Sequence, residues 1–182
     1  LNKIYAAKSS VISFIADIRF YKGGIILFGD SHYGIKGPHV RDIIDILEPG
    51  DVLLRRYAHY LGSVLTKGYW SHAAIYVGDN NVVHMLGDGI STEDILTFTR
   101  CDDVAILRSK DASLIQSAIE KANNYMAEGI AYDYNFDKLP DKFYCTEFIW
   151  QCYDCPIIKD VGKFILPDDL LNSIFEVIPR RK

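Results

Sequence analysis

The chain has 182 residues, 49% hydrophobic and 24% charged, ordinary values for a globular domain that buries its core without covalent staples. Aromatic residues make up 13%, which excludes disorder as a whole-chain state. A net charge of −4, from 20 basic and 24 acidic residues, excludes nucleic-acid binding driven by bulk charge. The length predicts one domain over 1–182.

No apolar run approaches the ~18 residues of a membrane-spanning helix. No signal peptide is visible at the start, so the compartment is left open with the cytoplasm favoured. Along the chain, apolar residues at mixed helical spacing (Ile4, Val11, Phe14, Ile15, Ile18) predict a helix within residues 1 to 20. The turn-rich stretch from Gly23 to Gly37 carries no clear element. Val40, Ile43, Ile44 and Leu47 form an i, i+3, i+4, i+7 stripe, which predicts a short helix ended by Pro49-Gly50. Strands are predicted at Asp51 to Arg55, Trp70 to Val77, Asn81 to Leu86 and Val104 to Leu107, with a hairpin turn over Gly78 to Asn81. A helix from Ser113 to Glu128 has Asp111 or Ser113 to cap it and Gly129 to stop it. Tyr132 to Pro140 reads as a loop and Tyr144 to Tyr153 as a second helix. A turn at 167 to 169 and a last strand at 175 to 178 close the chain. Strands hairpinned together beside helices give an α+β fold, a small antiparallel sheet packed against helices.

Four cysteines stand at 101, 145, 152 and 155. Three fall within eleven residues around one predicted helix, poor spacing for a disulfide framework, so at least one is read as a free thiol. A thiol becomes a good nucleophile as the thiolate, and a helix N-terminus or an adjacent imidazole promotes that form. Cys145 opens the helical stripe of FYCTEFIWQCY. His72, in YWSHAAIYVGD, shares a strand face with Ala74 and Tyr76 and has small neighbours that leave room for another element. His84 on the next strand is the candidate to orient His72, with Asp88 and Glu93 as alternatives. The plainer reading of each is a buried core Cys or a satisfied core His. Zinc at the Cys152–Cys155 pair lacks a second ligand pair of suitable spacing. Zinc at His72, His84 and Cys145 is chemically acceptable but competes with a coherent metal-free role for the same residues.

The order PGDVLL, WSHAAIYVG, YDYNFDKLPDKFYCTEFIWQCY, spanning 48–155, resembles the YiiX-like group of the NlpC/P60 superfamily. The resemblance implies a circularly permuted papain-like fold with the His strand before the Cys helix. It leaves residues 1–47 as an N-terminal extension and 48–155 as the motif-bearing core. It also implies Cys145 as nucleophile, His72 as general base and His84 as the third polar member, where relatives carry a carboxylate or a second His. Asp51, Ser71, Tyr132, Asp133 and Tyr144, flanking these positions in the same motifs, are the substrate-binding candidates. The implied activity is a thiol-dependent hydrolase acting through an acyl-enzyme on a peptide, a cell-wall peptide, an isopeptide or a lipid ester. Such a reaction requires no metal or organic cofactor. The alternatives are an acyltransferase of the lecithin–retinol type and a non-catalytic binding module that keeps the fold. A Cys145–His72 ion pair would make the thiol react well below its free pKa of ~8.5.

Overall fold

A computed structural model of the protein describes residues 33–58, 68–136, 141–155 and 164–180 in full, and the backbone of 18–21 and 24–27. Strands β1 (Ile18–Tyr21) and β2 (Gly24–Leu27) form an antiparallel hairpin. The helix expected within residues 1 to 20 therefore gives way to strand at Ile18, where Ile, Phe and Tyr favour an extended chain. The remainder of that expectation lies outside the described residues. Helix α1 (Gly37–Ile46) starts with Pro38 in its first turn and buries Ile43 completely.

The body of the fold is a six-stranded antiparallel sheet. Its strands are β3 (Val52–Arg56), β4 (His72–Gly78), β5 (Asn81–Leu86), β6 (Gly89–Asp94), β7 (Asp103–Ser109) and, after the short parallel pair β8 (Ala131–Tyr132) and β9 (Lys142–Phe143), β10 (Phe175–Ile178). The spatial order is β10-β7-β3-β4-β5-β6. Asp79 and Asn80 both adopt positive φ in the β4–β5 turn, the backbone that matches the right-handed twist of a tight hairpin.

Among the described residues, the α-helices are α1, the single turn α2 (Ile95–Phe98), α3 (Ala112–Glu128) and α4 (Cys145–Cys152). Asp94 caps α2 by accepting from the Leu96 amide at 2.7 Å. Asp111 caps α3 by accepting from the Ser113 amide at 2.9 Å, and Gly129 stops it at φ 69°. The 3-10 segment Pro167–Asn172 leads into β10.

Both faces of the sheet are buried, which is why its central strands read as nearly continuous apolar runs. One face carries Leu54, Ala73, Ile75, Val83 and Met85, and packs against Phe148, Ile149 and Trp150 of α4 and Ala118 and Ala122 of α3. The other carries Leu53, Ala74, Val82 and Ile106, and packs against Ile43 of α1 and Ile95 and Phe98 of α2. At roughly 1.5–3 kcal/mol per fully buried large apolar side chain, Phe148 and Ile149 alone, both with no exposed surface, anchor α4 firmly. That anchoring fixes where its first residue, Cys145, sits.

Candidate active site

Cys145 is the first residue of α4, with Tyr144 as the N-cap in extended conformation. The unpaired amides of that first turn favour negative charge near the sulfur. The sulfur lies within hydrogen-bonding reach of the Thr146 hydroxyl, at 3.7 Å, and of the backbone amide of Ala73. Ala73 follows His72 on β4, so the thiol meets the sheet one residue from the imidazole, at the end of the strand.

His72 Nε2 lies 3.0 Å from His84 Nδ1. The β4–β5 register pairs Ala74 with His84, which makes the two rings diagonal neighbours on one face. With Nε2 engaged by His84, Nδ1 is the second ring nitrogen of His72. His84 has no exposed surface. Its Nε2 has no hydrogen-bond partner among the described residues and lies 3.9 Å from Glu93 Oε2 on β6. Glu93 in turn accepts from Arg55 Nη1 at 2.9 Å. Arg55, directly opposite His72 in the β3–β4 register, spreads its guanidinium 4.5 Å over the Phe98 ring.

Burial sets the resting charge of this group. It pushes the Cys145 thiol up, against smaller opposing effects of Thr146, the Ala73 amide and Arg55. His72 keeps a little exposed surface, yet its dense surroundings, and after them the Arg55 charge, hold it well below its usual value. Burial and then Arg55 likewise lower His84 to about 3. Burial thus favours the neutral form of both the thiol and the imidazole.

The other candidates divide. Burial holds the Tyr132 phenol well above its ordinary pKa, with the Cys145 thiol the next contributor. Tyr144 is buried, accepts the Ile165 amide at 2.9 Å on its hydroxyl and stacks edge-on with Phe136, which in turn meets Phe164. Asp133 is buried, its amide donating to the Phe143 carbonyl and its carboxylate accepting from the Asn135 amide. Ser71 ties β3 to the start of β4: its hydroxyl donates to the Arg55 carbonyl at 3.1 Å and accepts from the Tyr57 amide at 3.0 Å.

Asp51 stands apart from the others. It precedes β3 at the end opposite Arg55, and its carboxylate is filled by Arg108 (two contacts of 2.7 Å) and the Glu48 amide (2.8 Å). Asp88, the alternative orienter, is exposed in the turn between β5 and β6. The part of the network that the motifs did not single out is Arg55, and the signal for it was a charged residue ending an otherwise apolar strand.

Among the described residues, no group of three or more His, Cys, Asp or Glu side chains is arranged to hold a metal ion. Cys152 and Cys155 are both buried, and burial pushes both thiols up, Cys155 to about 12. A cleft of about 700 Å³ opens elsewhere, beside Gly34, Pro38, His39 and Asp42. Two of the acids at its edge are already engaged: Asp102 accepts the Ala58 amide at 2.7 Å and Asp103 accepts Arg180 at 2.7 Å. The reactive groups therefore lie outside this cleft.

A family model described as permuted papain-like amidase enzyme, YaeF/YiiX, C92 family, matches residues 46–173, more than half of the chain. No curated protein and no solved structure matches the chain. No helix among the described residues is long and apolar enough to cross a membrane.

Proposed function

Because the chain belongs to the permuted papain-like amidases of the YaeF/YiiX, C92 family, a family of cysteine hydrolases, we propose that it cleaves an amide bond with Cys145 as nucleophile, His72 as general base and His84 as the residue that orients His72. The observation that carries this reading is the 3.0 Å contact between His72 Nε2 and His84 Nδ1, beside a helix that opens on a thiol. A base needs its far nitrogen held so that the near one keeps a free lone pair.

In the reaction, the Cys145 sulfur attacks the carbonyl carbon as its proton passes to His72 Nδ1. A neutral resting pair makes this transfer part of the attack, so thiolate and imidazolium appear together in the transition state. The Cys145 amide, free at the helix start, points toward the developing oxyanion. His72 then returns the proton to the leaving amine, and water, activated by the same imidazole, hydrolyses the thioester. Tyr144, Phe136 and Phe164 form a run of edge-on aromatic rings that starts at the N-cap of the helix opened by Cys145, and we assign this aromatic wall to the side chain or acyl group that flanks the scissile bond. Asp133 and Ser71 brace that wall and the His72 strand.

Turnover of a panel of peptide and isopeptide amides, with Cys145→Ala and His72→Ala as controls, tests this reading. Loss of activity in both variants with unchanged circular dichroism supports it, and full activity in Cys145→Ala sinks it. One observation favours acyl transfer from a lipid ester as a second reading. Phe164 exposes 44% of its surface at the rim of the aromatic wall, where an acyl chain would lie. Adding lipid esters and an amine acceptor to the same panel separates the two.

A further inference from the structure

The thiol reading requires one particular distribution of protons, and the residues around His84 decide it. The His72–His84 contact admits two arrangements of two neutral rings. In the first, His72 carries its proton on Nε2 and donates to His84 Nδ1; His84 then carries its own proton on Nε2, and His72 Nδ1 is free to take the thiol proton. In the second, His84 donates from Nδ1 to His72 Nε2; His72 then has its proton on Nδ1 and cannot act as a base toward sulfur.

Opposite charges lie beside the pair. Glu93 Oε2, 3.9 Å from His84 Nε2, favours an N–H there and so the first arrangement. Arg55 favours a lone pair there and so the second, and its Nε–H is buried without an acceptor among the described residues. Only 8% of the Arg55 side chain and 22% of the Glu93 side chain is exposed, so water screens neither strongly. The 2.9 Å bond between them lets the carboxylate cancel the guanidinium. The Phe98 ring faces both imidazoles, and Tyr57 lies under the guanidinium.

Resting on the Cys145–His72 reading, we propose that Glu93 is a positioning residue that keeps the His72–His84 pair in its base-competent tautomer, by facing His84 Nε2 and by neutralising Arg55. It touches neither substrate nor sulfur. When the thiol proton moves to His72 Nδ1, the S–H bond breaks and an N–H bond forms. No proton leaves His84.

The consequence is a rescue that a merely structural role would not produce. Glu93→Gln removes the cancelling charge, hands the balance to Arg55 and switches the pair. Adding Arg55→Met, whose stem still covers Phe98, removes the opposing charge and switches it back. The test is 15N NMR of the ring nitrogens in the full chain labelled at histidine, together with the iodoacetamide rate at Cys145 at pH 7.

Expected for the wild type is a protonated Nε2 on both rings. Expected for Glu93→Gln is a proton on Nδ1 of both rings and alkylation slower by about tenfold, the lower end for loss of an outer-layer partner. The double variant should regain the wild-type ring pattern and most of the rate. Unchanged ring nitrogens in Glu93→Gln, or a double variant no better than the single one, overturns the proposal. Should Glu93→Gln not fold, Arg55→Met alone decides: it must keep the wild-type tautomer, and a switch refutes the charge balance. The ring signals need neither substrate nor a reactive thiol. Failure of the Cys145 assignment would leave them intact, whereas failure of this proposal would appear in them directly.

Discussion

Replacing Asp51 by Ala tests whether this residue serves the substrate or the scaffold. Its carboxylate is 1% exposed and accepts three hydrogen bonds, two from Arg108 and one from the Glu48 amide. Removing one member of a buried ion pair costs about 3–5 kcal/mol when the survivor is stranded. Arg108 would not be stranded. It keeps 19% of its side-chain surface in water, the Glu48 carboxylate at 2.6 Å and the Ile46 carbonyl at 2.7 Å. The expected loss is therefore at the low end or slightly below, about 2–3 kcal/mol. For a chain of this length each kcal/mol moves Tm by about 2–4 °C, so Asp51→Ala should melt about 4–12 °C lower. Thermal unfolding followed by circular dichroism gives the shift, and kcat/KM measured well below Tm gives the function. We expect the first to move and the second to stay within about threefold, roughly 0.7 kcal/mol. A wild-type Tm with a collapsed kcat/KM would show that Asp51 acts on substrate and that its bonds to Arg108 are incidental.

Because burial favours the uncharged forms of both Cys145 and His72, the iodoacetamide rate at Cys145 should keep rising with pH through and beyond the free-thiol value of ~8.5. A rate that levels off by pH 6, mapped to Cys145 by mass spectrometry, would mean a preformed ion pair. Gly129→Ala places a Cβ in open space but at φ 69°, so it should cost about 1 kcal/mol and leave turnover unchanged; an unchanged urea midpoint would remove the left-handed cap from the account of α3. Tyr153→Phe deletes the buried hydroxyl that donates to the Gly50 carbonyl and should destabilise the protein by about 1–3 kcal/mol. A loss below about 0.5 kcal/mol, within the range of ordinary surface substitutions, would show that this bond contributes nothing net.

What was legible in the sequence was local or paired across a short loop. The α3 stripe with its Asp111 cap and Gly129 stop, the β4–β5 hairpin and the helix that opens at Cys145 all carry their signals within a few residues. The hairpin made His84 a candidate neighbour of His72, but its register, shifted by an irregularity between Tyr76 and Gly78, could not be read from the sequence. β6 was missed because an edge strand reading GISTED has no apolar alternation, and α2 because a four-residue turn is shorter than any helical period. The place of Asp51 could not be read either: its partner Arg108 is 57 residues away, and nothing near Gly50 announces it. The charge state of the site was illegible for a more general reason. Cys145 and His72 look activated beside each other on paper, but desolvation depends on what packs around them, and that comes from α3, α4, β3 and β5 together.

The sheet has two outer strands, and open strand edges invite other chains to pair with them. β10 runs for only four residues, carries Glu176 outward and is followed by Pro179, which offers no amide to a newcomer. β6 is longer, but it is guarded by Glu93 and Asp94 and has its Ile90 amide already donating to the Ile130 carbonyl at 2.9 Å. The acidic character of β6 thus bears on self-association as well as on the imidazole pair. Neutralising it would cost solubility along with chemistry, so the same few residues are held in place by two unrelated demands.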